Sequence, residues 1–317
     1  MGKNHRILVI DDVHSVLLEK LAAYSVNYMP TIAVDALENA LQEATILVMR
    51  SKLNMTAEWI DRAPNLKLIA RLGSGMDNID VNYATAKGVH CINAPEGNRN
   101  AVAEQAVGMM LILLSNVYKG DREISERVWD RKGNEGRELR NLTVGIIGYG
   151  NVGSRLAELL VGFGCEILAY DLYKHGFGTS QVKEVSLAEL QNQSDIVSIH
   201  VPLTPISKNM VNQEFIDRMK KPVVILNLAR GAVVNISALI YGIKNGKVLG
   251  AGLDVLPNEK LETLSKKEIE LLSYLSDSKV VVMSPHIGGI TRDAYILLAE
   301  VLADKILKWD NNLPLVN

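Results

Sequence analysis

Cysteine and aromatic residues are scarce in this sequence. Only two of the 317 residues are cysteine, which excludes a disulfide framework and a four-thiolate zinc site. Aromatic side chains make up 5%, too few for the stacking platforms of single-strand nucleic-acid binding proteins. The charges nearly cancel, with 34 basic against 36 acidic residues. This balance gives no reason to expect binding to nucleic acid or to a membrane surface.

Long hydrophobic runs are also missing. The densest, Ala106 to Leu114, is far shorter than the roughly 20 residues of a membrane helix. The first residues do not form a secretory signal. The chain instead has 48% apolar residues in short runs, which suits two packed domains of about 150 residues each. We therefore predict a cytoplasmic protein.

Short apolar runs alternate with helical patterns along the chain. Before residue 95 the predicted strands are Ile7–Ile10, Ile46–Met49, Leu68–Ala70 and Val89–Ile92; after Leu142 they are Thr143–Ile147, Glu166–Tyr170, Ile196–His200, Val223–Asn227, Val248–Leu253 and Val280–Met283. Continuous apolar strands separated by helices predict parallel sheets that are covered on both faces. A long apolar helix is predicted at Ala101–Val117. The charged stretch Lys119–Arg140 fits either a solvated surface or an arm that reaches across a dimer.

A glycine motif directly follows the strand Thr143–Ile147. In Gly148-Tyr-Gly150-Asn-Val-Gly153, the first glycine permits a tight turn, the second lets backbone amides approach a pyrophosphate, and the third lets the helix pack close to the strand. Asp171 ends the next strand, where a carboxylate binds a ribose diol and repels a 2′-phosphate. The motif predicts NAD as the cofactor, in preference to NADP.

Four further segments complete a recognisable set. They are Arg71-Leu-Gly-Ser-Gly-Met-Asp-Asn-Ile-Asp80, Asn227-Leu-Ala-Arg-Gly231, Gly252-Leu-Asp-Val-Leu-Pro-Asn-Glu259 and Ser284-Pro-His-Ile-Gly-Gly289. With the glycine motif, and in this order, they resemble the D-isomer-specific 2-hydroxyacid dehydrogenase family. The resemblance implies two doubly wound parallel-sheet domains and a cleft. A flavodoxin-like substrate domain would span 1–97, completed by 290–317, and a Rossmann NAD-binding domain would span 98–289, with hinges near 97–100 and 286–290.

The residues of these segments suit the reduction of a 2-keto acid. Arg230 offers a rigid fork to the substrate carboxylate, and the resemblance implies that it also polarises the keto group. His286 can donate and accept a proton near neutral pH. Glu259 would pair with His286 and orient its ring, and Glu262 is the alternative partner, because the stretch up to His286 is long and includes a predicted helical insertion at Lys266–Leu275. NADH supplies the hydride, so the reaction needs no metal.

The resemblance also assigns binding contacts position by position. Ser74 and Gly75 would present backbone amides to the substrate carboxylate. The remaining positions would contact NAD: Asn151 and Val152 at the pyrophosphate, Val201 and Leu228 beside the nicotinamide, Asp254 at the nicotinamide end, and Gly289 in the last motif.

Arg50 and Arg71 end neighbouring predicted strands and bear on the choice of substrate. Two guanidinium groups suit a phosphate at the distal end of the substrate. Family members that oxidise 3-phosphoglycerate have arginine at the corresponding positions. The sequence therefore predicts oxidation of 3-phosphoglycerate to 3-phosphohydroxypyruvate, at the start of serine biosynthesis. In the alternative, either arginine pairs with Asp77 or Asp80 and only braces the loop.

Two alternative functions stay open. Within the family, a glyoxylate or hydroxypyruvate reductase, or another D-2-hydroxyacid dehydrogenase, is the second candidate. An NAD(H)-sensing protein resembling the transcriptional corepressors is a distant third. The apolar helix and the charged stretch need cover and predict that subunits pair, and the resemblance implies a homodimer. Few residues follow position 310, so we expect no regulatory amino-acid-binding domain and no serine feedback through one.

Overall fold

A computed structural model describes residues 5–314. The chain divides into two compact units, the described parts of Met1–Arg99 with Ile290–Asn317, and Asn100–Gly289. Each unit contains one parallel sheet with helices on both faces, and this confirms the predicted fold class.

The first unit has a five-stranded parallel sheet. Its elements before residue 95 are β1 (Arg6–Val9), α1 (Ser15–Lys20), β2 (Ser25–Tyr28), α2 (Leu37–Glu43), β3 (Ile46–Met49), α3 (Ala57–Asp61), β4 (Leu68–Arg71), α4 (Val81–Ala86) and β5 (His90–Asn93). The strand order β2-β1-β3-β4-β5 is that of flavodoxin-like folds. The edge strand β2 was not predicted, because its side chains are mostly exposed and no apolar run marks it.

The second unit has a seven-stranded parallel sheet. Its elements are α5 (Pro95–Leu114), α6 (Val117–Ser125), β6 (Thr143–Ile147), α7 (Asn151–Val161), β7 (Glu166–Tyr170), β8 (Lys183–Glu184), α8 (Leu187–Gln193), β9 (Ile196–Ile199), α9 (Gln213–Arg218), β10 (Val223–Asn227), α10 (Ile236–Lys244), β11 (Val248–Leu253), α11 (Lys266–Asp277) and β12 (Val281–Met283). The strand order β12-β11-β10-β9-β6-β7-β8 is the Rossmann order extended by one strand. The first turn of α5 belongs to the first unit.

The last helix, α12 (Arg292–Asp310), belongs to the first unit. Its buried side chains, Leu298, Leu302 and Ile306 among them, join the core that β1, β3, β4 and α1 form on one face of the sheet. The helix begins behind Thr291, whose side chain accepts a hydrogen bond from the amide of Ala294 and so caps the first turn.

The predicted helix Ala101–Val117 is two helices in the structure. α5 ends at Leu114, and Asn116 adopts a left-handed conformation with φ of 54° before α6 begins. The start of the charged stretch is therefore helical. Among residues 5–314 no single helix is long and apolar enough to cross a membrane; α5 and α6 reach that length and composition only together, across a bend of 59°.

Candidate active site

The glycine motif forms the turn between β6 and α7. Gly148 has φ of +94°, and a Cβ there would lie 2.5 Å from the carbonyl oxygen of His200. A Cβ on Gly153 would lie 2.0 Å from the carbonyl oxygen of Gly148, so only glycine lets α7 pack this close to the strand. Around Gly150 nothing lies within 4 Å of a Cβ position, and this residue caps α7 without a side-chain hydrogen bond. The first amides of α7 are therefore open to a pyrophosphate, as an NAD site requires.

Asp171 lies directly after β7 and holds the glycine turn. Its Oδ2 accepts a hydrogen bond from the amide of Tyr149 at 2.8 Å, and its Oδ1 accepts from the amides of Tyr173 and Lys174 at 2.9 and 3.0 Å. Burial raises the pKa of Asp171, but these three amides and the Lys174 charge outweigh burial, and the net pKa lies below the ordinary value. The carboxylate therefore carries a negative charge beside the turn.

His200 follows β9, at the point where the strand order of the sheet reverses. Its amide donates to the Ile147 carbonyl at 2.7 Å, and its Nε2 lies 2.8 Å from the Ser198 hydroxyl. Burial lowers the pKa of His200 to about 4, so the ring is neutral near pH 7. A neutral, hydrogen-bonded ring at this point can line a cofactor site without adding a charge to it.

Arg230 lies in the loop after β10, where Asn227 fixes the backbone. The Asn227 side chain is fully buried; its Nδ2 donates to the Arg230 carbonyl at 3.0 Å, and its Oδ1 accepts from the amide of Ala229 at 3.1 Å. A Cβ on Gly231 would lie 1.9 Å from the carbonyl carbon of Leu256, so this loop packs directly on the segment that leads to Glu259. The motif Asn227–Gly231 predicted no role for Asn227, because nothing in the local sequence shows which backbone groups its amide side chain will reach.

His286 and Glu259 form a pair. The Nδ1 atom of His286 lies 3.0 Å from Oε2 of Glu259, and both side chains are about half exposed. The structure thus pairs His286 with Glu259, as preferred, and the alternative Glu262 lies in the exposed 3-10 turn Leu261–Thr263. No described residue hydrogen-bonds to Nε2 of His286, so this atom is available to a substrate. The predicted helical insertion is α11, which begins with a capping box of Ser265 and Glu268.

Asp254 organises the loop that carries His286. Its buried carboxylate accepts hydrogen bonds from the Ser284 hydroxyl, from the amides of Ile287 and Gly288, and from Nε2 of Gln105 on α5. The backbone carbonyl of Asp254 also accepts from the amide of His286 at 2.7 Å. This set of contacts holds His286 at a φ of +54°, a conformation that residues other than glycine rarely adopt. Gln105 was not singled out in the sequence, because it lies 149 residues from its partner.

The other residues assigned to NAD lie at the same edge of the second sheet. Asn151 and Val152 begin α7, while Val201, Leu228 and Gly289 follow β9, β10 and β12. The carboxyl ends of parallel strands share one edge of a sheet, which is where ligands bind in open α/β folds. Their individual contacts with the cofactor stay predictions.

Ser74 and Gly75 lie in the loop after β4. The Ser74 hydroxyl donates to Oδ1 of Asn98, and the Ser74 carbonyl accepts from Nδ2 of Asn93 at 2.5 Å. The side chains of Asn98 and Asn93 thus hold this loop in place. Within residues 5–314, the amides of Ser74 and Gly75 donate to no other group, so both fit the predicted binding of a substrate carboxylate.

Arg50 and Arg71 lie at the carboxyl ends of the neighbouring strands β3 and β4. The Arg71 guanidinium lies over Gly73, where a Cβ would be 1.9 Å from Nη1. The Arg50 guanidinium lies 5.5 Å from the centre of the Tyr295 ring, and no carboxylate in the described part of the chain forms an ion pair with it. Asp80 instead caps α4 by accepting from the amide of Tyr83. The bracing alternative therefore does not describe Arg50.

These two sheets, with a dinucleotide turn and a histidine–carboxylate pair at the edge of the second, define a dinucleotide-dependent oxidoreductase. Residues 107–288 match the family model described as D-isomer specific 2-hydroxyacid dehydrogenase, NAD binding domain. The chain belongs to this family, its cofactor is NAD, and it is an oxidoreductase.

Named relatives agree with the family and differ in their substrates. D-3-phosphoglycerate dehydrogenase of Haemophilus influenzae is 34% identical over 312 residues, which cover 97% of this chain and 75% of that protein. Hydroxypyruvate reductase of Thermotoga maritima is 38% identical over 274 residues, which cover 86% of this chain and 87% of that protein. The crystal structure of D-lactate dehydrogenase from Aquifex aeolicus with NAD and lactic acid superimposes with a TM-score of 0.84, at 29% identity over 97% of this chain and 96% of that one.

Proposed function

We propose that this enzyme interconverts 3-phosphoglycerate and 3-phosphohydroxypyruvate. The observation that carries the proposal is the Arg50 guanidinium, a strand-end cation that forms no ion pair with a carboxylate in the described part of the chain. Arginine binds a phosphate through two parallel, charge-assisted hydrogen bonds, whereas the only anionic group of a small keto acid such as glyoxylate is the carboxylate that Arg230 binds in this proposal. The relative from H. influenzae that carries the phosphoglycerate dehydrogenase name supports this choice.

The geometry of the second unit supports the catalytic roles in this proposal. In the oxidation, Nε2 of His286 accepts the proton of the C2 hydroxyl, because Nδ1 is engaged by Glu259. The Glu259 carboxylate orients the ring and stabilises the imidazolium that forms. Arg230 binds the substrate carboxylate and polarises the oxygen on C2. The glycine turn and Asp171 would hold NAD, which would supply the acceptor for the hydride from C2.

The residues of the first unit bind the ends of the substrate in this proposal. The amides of Ser74 and Gly75 bind its carboxylate, and Arg50 and Arg71 bind its phosphate. The reduction of hydroxypyruvate is the second candidate, favoured by the T. maritima relative of that name, which is 38% identical over 274 residues. The ratio of kcat/KM for phosphohydroxypyruvate to kcat/KM for hydroxypyruvate separates the two candidates.

Replacing Asp171 with alanine is expected to relax the preference for NAD over NADP by about tenfold or more. The substitution removes the negative charge that would repel a 2′-phosphate and the acceptor for the ribose diol. The measurement is kcat/KM for each dinucleotide. Because Asp171 also holds the glycine turn through both of its oxygens, Asp171→Asn is the companion variant: it loses the charge and keeps one of the two acceptor oxygens. An unchanged NADP-to-NAD ratio in both variants would remove Asp171 from the ribose site.

We also propose that the chain forms a homodimer through α6 and the segment that follows it. Val117, Ile124 and Val128 are exposed, and 80% of the Trp129 surface is open to solvent. Apolar residues grouped in this way mark interaction surfaces. Sedimentation equilibrium is expected to give twice the chain mass for the wild type and a lower mass for Trp129→Lys. A monomeric wild type would contradict the proposal.

A further inference from the structure

The position of Arg50 depends on groups that the reaction itself does not use. Its amide donates to Oδ2 of Asp11 at 2.7 Å, and its carbonyl accepts from Nδ2 of Asn78 at 3.0 Å. The side chains of Asp11 and Asn78 thus fix the backbone of Arg50 through its amide and its carbonyl. The guanidinium extends from this fixed point and lies over the ring of Tyr295, on α12.

Tyr295 is itself held in place. Its hydroxyl donates to Oδ2 of Asp12 at 2.6 Å, and the Tyr28 hydroxyl donates to Oδ1 of the same carboxylate at 3.1 Å. The ring of His14 meets the Tyr295 ring edge-on at 5.7 Å. Tyr28 ends β2, and Asp12 and Arg50 follow the adjacent strands β1 and β3, so these groups lie along one edge of the sheet.

This arrangement keeps Arg50 available. The Asp12 carboxylate interacts with the Arg50 charge, but both of its oxygens accept hydrogen bonds from phenol hydroxyls and neither forms an ion pair with Arg50. Those hydrogen bonds from Tyr295 and Tyr28, and to a lesser extent the Arg50 charge, hold the pKa of Asp12 below its ordinary value. A contact with the face of a ring consumes none of the N–H donors of a guanidinium. The donors of Arg50 are therefore left for a ligand with several oxygen atoms.

We propose that Tyr295, held by Asp12, is a specificity-determining residue that positions Arg50 for a phosphoryl group on the substrate. The inference rests on the proposed function, in which Arg50 binds that group. Tyr295 acts through Arg50 and is a positioning residue. Its effect is confined to substrates that carry the phosphate.

The test compares two variants of Tyr295 with a matched control. Tyr295→Leu removes the ring face and is expected to lower kcat/KM for phosphohydroxypyruvate about tenfold, mainly through KM, with less than about a twofold effect on hydroxypyruvate. Tyr295→Phe keeps the ring and is expected to stay within about threefold of the wild type. The control is Tyr83→Leu. The Tyr83 ring also lies under a cation, Lys87, and its hydroxyl also donates to a carboxylate, Asp61. These residues belong to the same unit but lie on or next to α3 and α4, so they do not contact Arg50.

A double-mutant cycle with Arg50→Ala completes the test. In the Arg50→Ala background, Tyr295→Leu is expected to cause no further loss, because the ring then has nothing to position. Should the leucine variant fail to fold, Tyr295→Met gives the same comparison without an aromatic face. Additive losses in the cycle, or equal effects of Tyr295→Leu and Tyr83→Leu, would overturn the inference.

The outcomes separate the inference from the proposed function. A wild-type enzyme that does not prefer the phosphorylated acid contradicts the proposed function and the inference together. If the wild type has the preference and Arg50→Ala loses it while Tyr295→Leu keeps it, the inference alone is wrong.

Discussion

Replacing His286 with alanine is expected to lower kcat by a factor of about 10² to 10⁴, the range of general acid–base catalysis. Nε2 of His286 has no hydrogen-bond partner within residues 5–314, and Nδ1 is engaged by Glu259 at 3.0 Å. The variant therefore loses the group that exchanges a proton with the substrate, while the glycine turn and Asp171 remain. Steady-state kinetics measure kcat. The fluorescence of NADH measures its dissociation constant, which is expected to stay unchanged in this variant.

Two companion variants sharpen this prediction. Glu259→Gln is expected to reduce kcat less than His286→Ala, because the amide still accepts from the ring but no longer stabilises the imidazolium by its charge. His175→Ala removes another histidine that faces a carboxylate, Glu184 at 3.7 Å, on the surface of the same unit, and is expected to leave kcat unchanged. Normal kcat with weakened NADH binding in His286→Ala would contradict the assignment.

Replacing Arg50 with alanine is expected to lower kcat/KM for phosphohydroxypyruvate about a hundredfold, equivalent to roughly 3 kcal/mol of transition-state stabilisation. The guanidinium supplies charge-assisted hydrogen bonds to the phosphate, and these are absent for hydroxypyruvate. The rate with hydroxypyruvate should therefore change less than about threefold. Kinetics with both substrates for the wild type and the variant give the comparison.

The matched control for Arg50 is Arg62→Ala. Arg62 lies in the same unit, 5.2 Å from the centre of the Trp59 ring, and forms exposed ion pairs with Glu38 and Glu58. It does not follow a strand, and its loss should not distinguish the substrates. An equal loss for both substrates in Arg50→Ala would mean that Arg50 supports the loop and does not recognise a phosphate.

The buried strands could be predicted from the sequence almost residue by residue. Thr143–Ile147 and Val223–Asn227 match the prediction because both faces of these strands are covered and every residue in them is buried. Ser25–Tyr28 and Lys183–Glu184 were missed, since edge strands with exposed side chains carry no such run. The break at Asn116 was also missed, because an apolar helix pattern continues through it in the sequence.

The chemistry of the site was easier to predict than its supporting contacts. The motifs placed His286 with Glu259 and the glycine turn beside Asp171, because each motif has a local order that fixes the fold around it. The contact of Gln105 with Asp254 joins residues far apart in the sequence. The contact of Tyr295 with Arg50 joins residues that are still farther apart in the sequence. No spacing of residues in the sequence predicts these contacts, because the two members of each pair come together only in the folded protein.

The most direct test of the proposed function is the rate of NADH oxidation with a panel of 2-keto acids. Phosphohydroxypyruvate, hydroxypyruvate, glyoxylate, pyruvate and 2-ketoglutarate are compared by kcat/KM under the same conditions. We expect a preference of at least about a hundredfold for phosphohydroxypyruvate over the unphosphorylated acids. Equal or higher values for hydroxypyruvate or glyoxylate would contradict phosphate recognition by Arg50 and would identify the enzyme as a reductase of small keto acids.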